Sequence, residues 1–206
     1  GQWASCPDFC FWNHPLIELS GKTMGFIGFG RIGQATGKIA QAFGLNVLAF
    51  TSSTHLDMIS ATCGYASLED VLTKSDIISL HCPLTDQTQG IINNSNIAKM
   101  KDGVMIINTS RGALVHAQEA IDALYSGKIG YLGLDVYEQE NKIFFEDMSS
   151  HIIQDSVFQL MLTFPNVVVT GHQGYFTDEA LNHIAETTID NLLHHQSDSS
   201  GARQLA

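Results

Sequence analysis

An arginine, a carboxylate and a histidine occupy matching places in this sequence, each just after an apolar run that ends in small or polar residues. Val104–Asn108 runs into Thr109-Ser110-Arg111-Gly112. Residues 131–135 run into Val136-Tyr137-Glu138-Gln139-Glu140, and residues 167–170 into Gly171-His172-Gln173. Open α/β sheets bind ligands at the ends of their strands, so the three side chains can converge on one crevice. A guanidinium fork suits a substrate carboxylate through two parallel hydrogen bonds. An imidazole titrates near neutrality and can trade a proton with a hydroxyl or a carbonyl. A carboxylate beside it, Glu138 or Glu140, would orient the ring and favour its charged form. Taken singly, each residue has a plainer reading. An arginine after a strand ordinarily makes a surface ion pair. The other eight of the nine histidines, His81 and the adjacent His194-His195 among them, read as satisfied polar residues.

The elements that must position this trio begin at Thr23-Met24-Gly25-Phe26-Ile27, a short apolar strand leading into Gly28-Phe29-Gly30-Arg31-Ile32-Gly33. In such a turn Gly28 lets the chain bend, Gly30 lets a diphosphate approach the backbone, and Gly33 lets the next helix pack close. That helix, over residues 32–43, carries Ile32, Ala35, Ile39, Ala42 and Phe43 on a helical period, which predicts its buried face. Its N-terminus offers free N–H groups to phosphates, Gly44 closes it, and a strand follows at Asn46–Phe50. Ser67-Leu68-Glu69-Asp70 resembles a capping box. Further strands are expected at residues 77–81, 104–108, 131–136 and 167–170. Helices are expected at residues 94–100 and 117–126, and from an N-cap at Thr177 to about residue 195. Apolar strands alternating with helices mean an α/β fold with a parallel sheet covered on both faces. A dinucleotide beside an arginine, a histidine and an acid describes hydride transfer to a 2-oxo acid.

The organisation expected is an arm over residues 1–20, a dinucleotide-binding domain over 21–195, and a polar tail without order over 196–206. The arm is aromatic, with Trp3, Phe9, Phe11 and Trp12, and suits either another surface or its own domain. Residues 138–162 interrupt the rhythm with an acidic stretch that includes Phe144-Phe145-Glu146-Asp147. The chain of 206 residues carries 21 acids against 10 bases, a formal charge of −11. That charge disfavours nucleic acid and anionic membranes as partners, and any anionic substrate needs a local cation. Cys6, Cys10, Cys63 and Cys82 show no metal-ligand spacing and read as thiols of a reduced compartment. No run reaches membrane length, and a soluble cytoplasmic protein is the default.

At these residues the chain resembles the D-isomer-specific 2-hydroxyacid dehydrogenases, over roughly residues 9–193. The matching pieces are Leu19-Ser20-Gly21-Lys22-Thr23, the glycine turn, Ser79-Leu80-His81-Cys82-Pro83-Leu84-Thr85, Asn108-Thr109-Ser110-Arg111-Gly112 and Gly133-Leu134-Asp135-Val136-Tyr137-Glu138. From residue 65 onward the likeness is to the D-lactate dehydrogenase branch. Residues 7–50 are more similar to the glycerate or hydroxypyruvate reductase branch.

The resemblance implies a Rossmann-type doubly wound parallel sheet. It implies NADH-dependent reduction of a small 2-oxo acid to a D-2-hydroxy acid, with Arg111, Glu140 (rather than Glu138) and His172 catalytic. The cofactor would be held by Gly28, Gly30, Arg31, Ile32, Gly33, Thr51, Cys82, Pro83, Thr109 and Asp135, with Asp135 at the nicotinamide end. Arg111 and Tyr175 would meet the substrate, and a homo-oligomer is implied.

Two departures qualify that expectation. NAD-dependent members carry an aspartate at the end of the second strand, where this chain has Thr51, eighteen residues past Gly33. The carboxylate that would bind the ribose and repel a 2′-phosphate is absent, but no arginine or lysine lies between Lys38 and Lys74 to favour NADP either; NAD is the first choice and NADP stays open. Family members also carry a substrate domain that closes over the crevice. Without it the trio is exposed, and the expected behaviour is cofactor binding with little or no turnover. Two rival readings are a dinucleotide-sensing interaction protein of the corepressor type and an inactive structural fragment.

Overall fold

The structure, a computed structural model, describes residues 2–11, 15–54, 59–140 and 153–197. Its strands are β1 Thr23–Ile27, β2 Asn46–Phe50, β3 Cys63–Tyr65, β4 Ile77–Leu80, β5 Val104–Asn108, β6 Ile129–Leu134 and β7 Val167–Val169. Its helices are α1 Gln2–Ser5, α2 Arg31–Ala42, α3 Leu68–Lys74, α4 Asn94–Ile97, α5 Ala117–Ser126, α6 Ser156–Met161 and α7 Asp178–Ser197. The strands form one seven-stranded sheet in the order β3-β2-β1-β4-β5-β6-β7, every neighbouring pair parallel.

This is the doubly wound α/β fold that the alternation of elements predicts. Successive strand residues point to opposite faces, and the two buried clusters follow that rule. Phe26 joins Met24, Phe29, Ala40 and Val47 under α2. Its neighbour Ile27 joins Val71, Ile78, Ile106, Ile121 and Met161 under α3, α5 and α6. The chain winds outward from β1 to β2 and β3, then returns across the sheet to β4. The crevice between the carboxyl ends of β1 and β4 is the switch point where such sheets bind ligands.

Local chemistry sets the element ends where the sequence places them. The Ser67 hydroxyl accepts from the Asp70 N–H at 3.1 Å and opens α3. Thr177 accepts from the Ala180 N–H at 3.2 Å and opens α7, and Gly127 closes α5. Strand 131–136 is corrected to Ile129–Leu134, and helix 94–100 is corrected to one turn, Asn94–Ile97. The interrupted stretch 138–162 contains α6, opened by the Asp155 carboxylate accepting from the Phe158 N–H at 2.9 Å. Its Phe144-Phe145-Glu146-Asp147 lies outside the described residues, as do Trp12 of the arm and residues 198–206 of the expected tail; Gln196 and Ser197 belong to α7.

The buried face of α2 is the main correction. Ile32, Ile39 and Phe43 are 71%, 59% and 62% exposed, while Gly33, Gly37 and Ala40 face inward. The helix lies so close to the sheet that a Cβ at Gly37 would stand 2.9 Å from the Phe29 ring. Only small residues fit there, so the apolar stripe faces out. The helix α7 likewise keeps Leu181, Ile184, Ile189, Leu192 and Leu193 exposed. No helix among the described residues is long and apolar enough to cross a membrane.

Candidate active site

A cleft of about 470 Å³ opens at the switch point. Gly28, Phe29 and Gly30 form one wall, Thr51, Ser52 and Ser53 a second, and His81, Cys82, Pro83, Thr85, Gln87 and Thr88 the third. Gly28 sits at φ 89, and a Cβ there would lie 2.5 Å from the Cys82 backbone nitrogen. The two strand ends therefore press backbone to backbone. A Cβ at Gly30 would meet nothing, so the space above it is open for a ligand. A Cβ at Gly33 would stand 2.9 Å from the Gly28 carbonyl oxygen. No side chain caps α2, so its first amide groups face the opening with Arg31 and Ile32 exposed beside them. These features fit a dinucleotide: a bend, an open approach over backbone, and a helix N-terminus for diphosphate.

Burial shapes the ionisation of this wall. The Cys82 thiol is pushed up, which keeps it protonated and unreactive. The His81 ring stacks on Phe26 and lies with Nε2 2.9 Å from the Ser79 hydroxyl. Burial pushes this imidazole down to about 4 from an ordinary 6.5. Below pH 6.5 the unfolded chain takes up a proton that the folded chain refuses until about pH 4. Stability therefore falls as pH drops through that window, by about 3 kcal/mol at its lower end. Urea midpoints measured at about pH 7 and about pH 4.5 check this: His81→Gln should lose markedly less stability over that interval than the parent chain.

The remaining strand ends continue the row. Neighbouring strands lie roughly 4.8 Å apart, so Thr51 after β2 and Asp135 after β6 bracket about 19 Å of sheet edge, room for an extended two-nucleotide ligand. After β5, the buried Asn108 carboxamide ties the turn together. It donates to the Arg111 carbonyl at 2.8 Å and accepts from the Ser110 N–H at 3.1 Å. The Ser110 hydroxyl donates to the Cys82 carbonyl at 2.7 Å, joining this turn to the cofactor cleft. Arg111 itself is exposed, its guanidinium donating to the Ser110 carbonyl at 2.8 Å. Thr109 beside it is exposed too. Gly112 allows the closest approach in the site, since a Cβ there would fall on the Tyr137 carbonyl. The Arg111 turn thus lies directly against the segment that carries Glu140.

Glu140 and His172 meet. One Glu140 oxygen lies 3.2 Å from His172 Nδ1, and the other accepts from the Tyr137 N–H at 3.2 Å. Tyr137 is buried, and its hydroxyl donates to the Asp155 carboxylate at 2.8 Å, which fixes the backbone that orients Glu140. His172 occupies φ 50, an uncommon conformation for a residue with a side chain. Tyr175 stands edge-on to the His172 ring at 6.3 Å and is 54% exposed. Among the described residues, no hydrogen bond or ion pair joins Arg111 to Glu140 or His172. The guanidinium and the imidazole are left open to a shared ligand.

The device that holds His172 in place is Asp135. Its carboxylate accepts from the Thr170 hydroxyl and the Gln173 N–H on one oxygen and from the Gly174 N–H on the other. Burial alone would raise this carboxyl, but those hydrogen bonds and the nearby His172 charge outweigh it and hold it below the usual range. Asp135→Asn should destabilise the chain by about 2 kcal/mol in urea unfolding at neutral pH, because charge-assisted bonds become neutral or unmatched. The folded carboxyl titrates below the unfolded one, so the parent's advantage is present above the unfolded value and disappears as pH falls through the folded one. Asn108, Ser110, Thr170 and the amides of Gln173 and Gly174 are the site residues that sequence reasoning passes over. A buried-strand run ending in asparagine is the one signal that could have found any of them.

With this geometry described, comparison with known proteins is decisive. The family model for "D-isomer specific 2-hydroxyacid dehydrogenase, NAD binding domain" matches residues 8–174. The chain belongs to this family. It is 46% identical over 192 residues to the hydroxypyruvate reductase of Blautia hydrogenotrophica, covering 93% of this chain and 56% of that protein. It is 48% identical over 176 residues to the D-lactate dehydrogenase of Escherichia coli strain K12, covering 85% of this chain and 54% of that protein. Among solved structures, D-lactate dehydrogenase with NAD+ from Lactobacillus jensenii superposes with a TM-score of 0.83 at 31% identity, covering 92% of this chain and 57% of that one. The chain spans about half the length of the curated relatives it matches.

Proposed function

We infer that this chain is the cofactor half of an enzyme that reduces a small 2-oxo acid, of the pyruvate or hydroxypyruvate class, to a D-2-hydroxy acid with NADH. The observation that carries the reading is the Glu140–His172 pair, 3.2 Å apart, beside an exposed Arg111 at neighbouring parallel strand ends. Gly28, Gly30, Arg31, Ile32, Gly33, Thr51, Cys82, Pro83 and Thr109 line the path of the dinucleotide, which supplies the hydride when bound. Arg111 grips the substrate carboxylate and fixes the orientation of the 2-oxo carbon. His172 donates a proton to the carbonyl oxygen, and Glu140 keeps the ring aligned through that step. Asp135 holds the turn that presents His172, and Tyr175 bounds the substrate side.

Calorimetric titration of the chain with NADH tests the cofactor half of this reading, and a turnover assay with pyruvate and hydroxypyruvate, in a hybrid that restores the portions of a relative this chain does not span, tests the rest. Heat of binding that saturates below millimolar NADH is expected. No binding at millimolar NADH would remove the reading.

A further inference from the structure

The wall of the cofactor cleft that follows β2 is chemically unlike the rest of the molecule. The chain has 21 acidic residues and a formal charge of −11, yet among the described residues none that lines the cleft is acidic. The place where a dinucleotide fold sets a carboxylate against the ribose 2′-hydroxyl is the end of β2. Here that place is Thr51-Ser52-Ser53. The Ser53 N–H donates to the Thr51 hydroxyl oxygen at 3.3 Å, which leaves the Thr51 hydroxyl proton free to donate in turn. Ser52 and Ser53 are exposed, as is Gln87 across the cleft. Among the described residues, every polar side chain on this wall can donate a hydrogen bond, and none carries a negative charge. Arg31, at the start of α2 beside the glycine turn, is exposed and makes no ion pair among the described residues.

We propose that this cleft accepts a dinucleotide carrying a 2′-phosphate, the NADPH class, with the Thr51, Ser52 and Ser53 hydroxyls meeting the phosphate where a carboxylate would repel it. The physical reason is an absent penalty and a supply of donors. A phosphate dianion beside a carboxylate pays like-charge repulsion in a partly desolvated cleft. Beside hydroxyls it gains charge-assisted hydrogen bonds instead. The ribose 2′-hydroxyl of NADH, for its part, loses the strong acceptor it would otherwise find. The two effects move the affinities in opposite directions and bring them together.

This inference rests on the cofactor reading above, and the test separates the two. Calorimetric titrations of the chain with NADH and with NADPH should give dissociation constants within tenfold of each other. Thr51→Asp should move their ratio at least tenfold toward NADH, by weakening NADPH and tightening NADH, with circular dichroism confirming the fold. A second variant, Ser53→Ala, should weaken NADPH more than NADH. A preference for NADH beyond tenfold in the parent chain overturns the proposal while leaving the cofactor reading intact. An unchanged ratio in Thr51→Asp overturns the placing of the 2′ position at this wall. Binding of neither dinucleotide overturns both readings together.

Discussion

His172→Gln should lower the turnover of a 2-oxo acid by about 10²- to 10⁴-fold, the range that general acid catalysis contributes, while NADH affinity stays within about threefold. The assay uses a hybrid in which the portions of the Escherichia coli D-lactate dehydrogenase that this chain does not span are joined to it. The choice of glutamine separates proton transfer from architecture. A glutamine amide can still donate to Glu140, which lies 3.2 Å from the imidazole in the parent, so the local arrangement survives. It cannot give up a proton to the carbonyl oxygen. Both residues bear the same left-handed backbone at φ 50, a cost of order 1–2 kcal/mol that the Asp135 hydrogen bonds around the turn outweigh. A melting temperature near the parent's would show this directly. Glu140→Gln should cost less, because the imidazole remains and only its alignment is loosened. Unchanged turnover in His172→Gln would remove His172 from the chemistry and leave the pair a structural contact.

The sequence makes some of this arrangement legible and hides the rest for identifiable reasons. Strand Val104–Asn108 and helix Ala117–Ser126 match the sequence reading residue for residue. The strand is an unbroken apolar run and the helix carries a clear period, and each ends at a residue with a conformational reason to end it. The face of α2 misleads because its inward stripe is glycine and alanine, which no hydrophobic scale weighs above isoleucine. The three-residue strand β3 is too short to show alternation, and it is defined by its pairing along β2. The pairing of Glu140 with His172 spans 32 residues, and that of Asp135 with Gly174 spans 39. Spacing alone leaves Glu138 and Glu140 equivalent. The family resemblance selects Glu140; in the structure Glu140 meets the imidazole while Glu138 is exposed. What the sequence withholds is the bracing: Asn108 behind Arg111 and Asp135 behind His172 are polar groups whose work is visible only once the strand order is known.

Gly28→Ala and Gly30→Ala should fail in different ways, and the contrast tests the glycine turn more sharply than either alone. At Gly28 the backbone stands at φ 89, and the added methyl would lie 2.5 Å from the Cys82 nitrogen, with the His81 carbonyl carbon at 2.6 Å. Neither neighbour is the end of a flexible side chain, so relief requires parting the ends of β1 and β4. Strain at positive φ and backbone overlap together predict a loss of about 3–5 kcal/mol. NADH binding should be lost with it. At Gly30 the backbone is ordinary, φ −75 and ψ −162, and the methyl would project into open space. Stability should stay within about 0.5 kcal/mol of the parent. NADH affinity should nevertheless fall at least tenfold, because the methyl occupies the approach of the diphosphate to the first amides of α2. Urea unfolding and calorimetry on the same preparations read both quantities. A Gly30→Ala chain that binds NADH like the parent would move the diphosphate off this turn, whatever Gly28→Ala does to the fold.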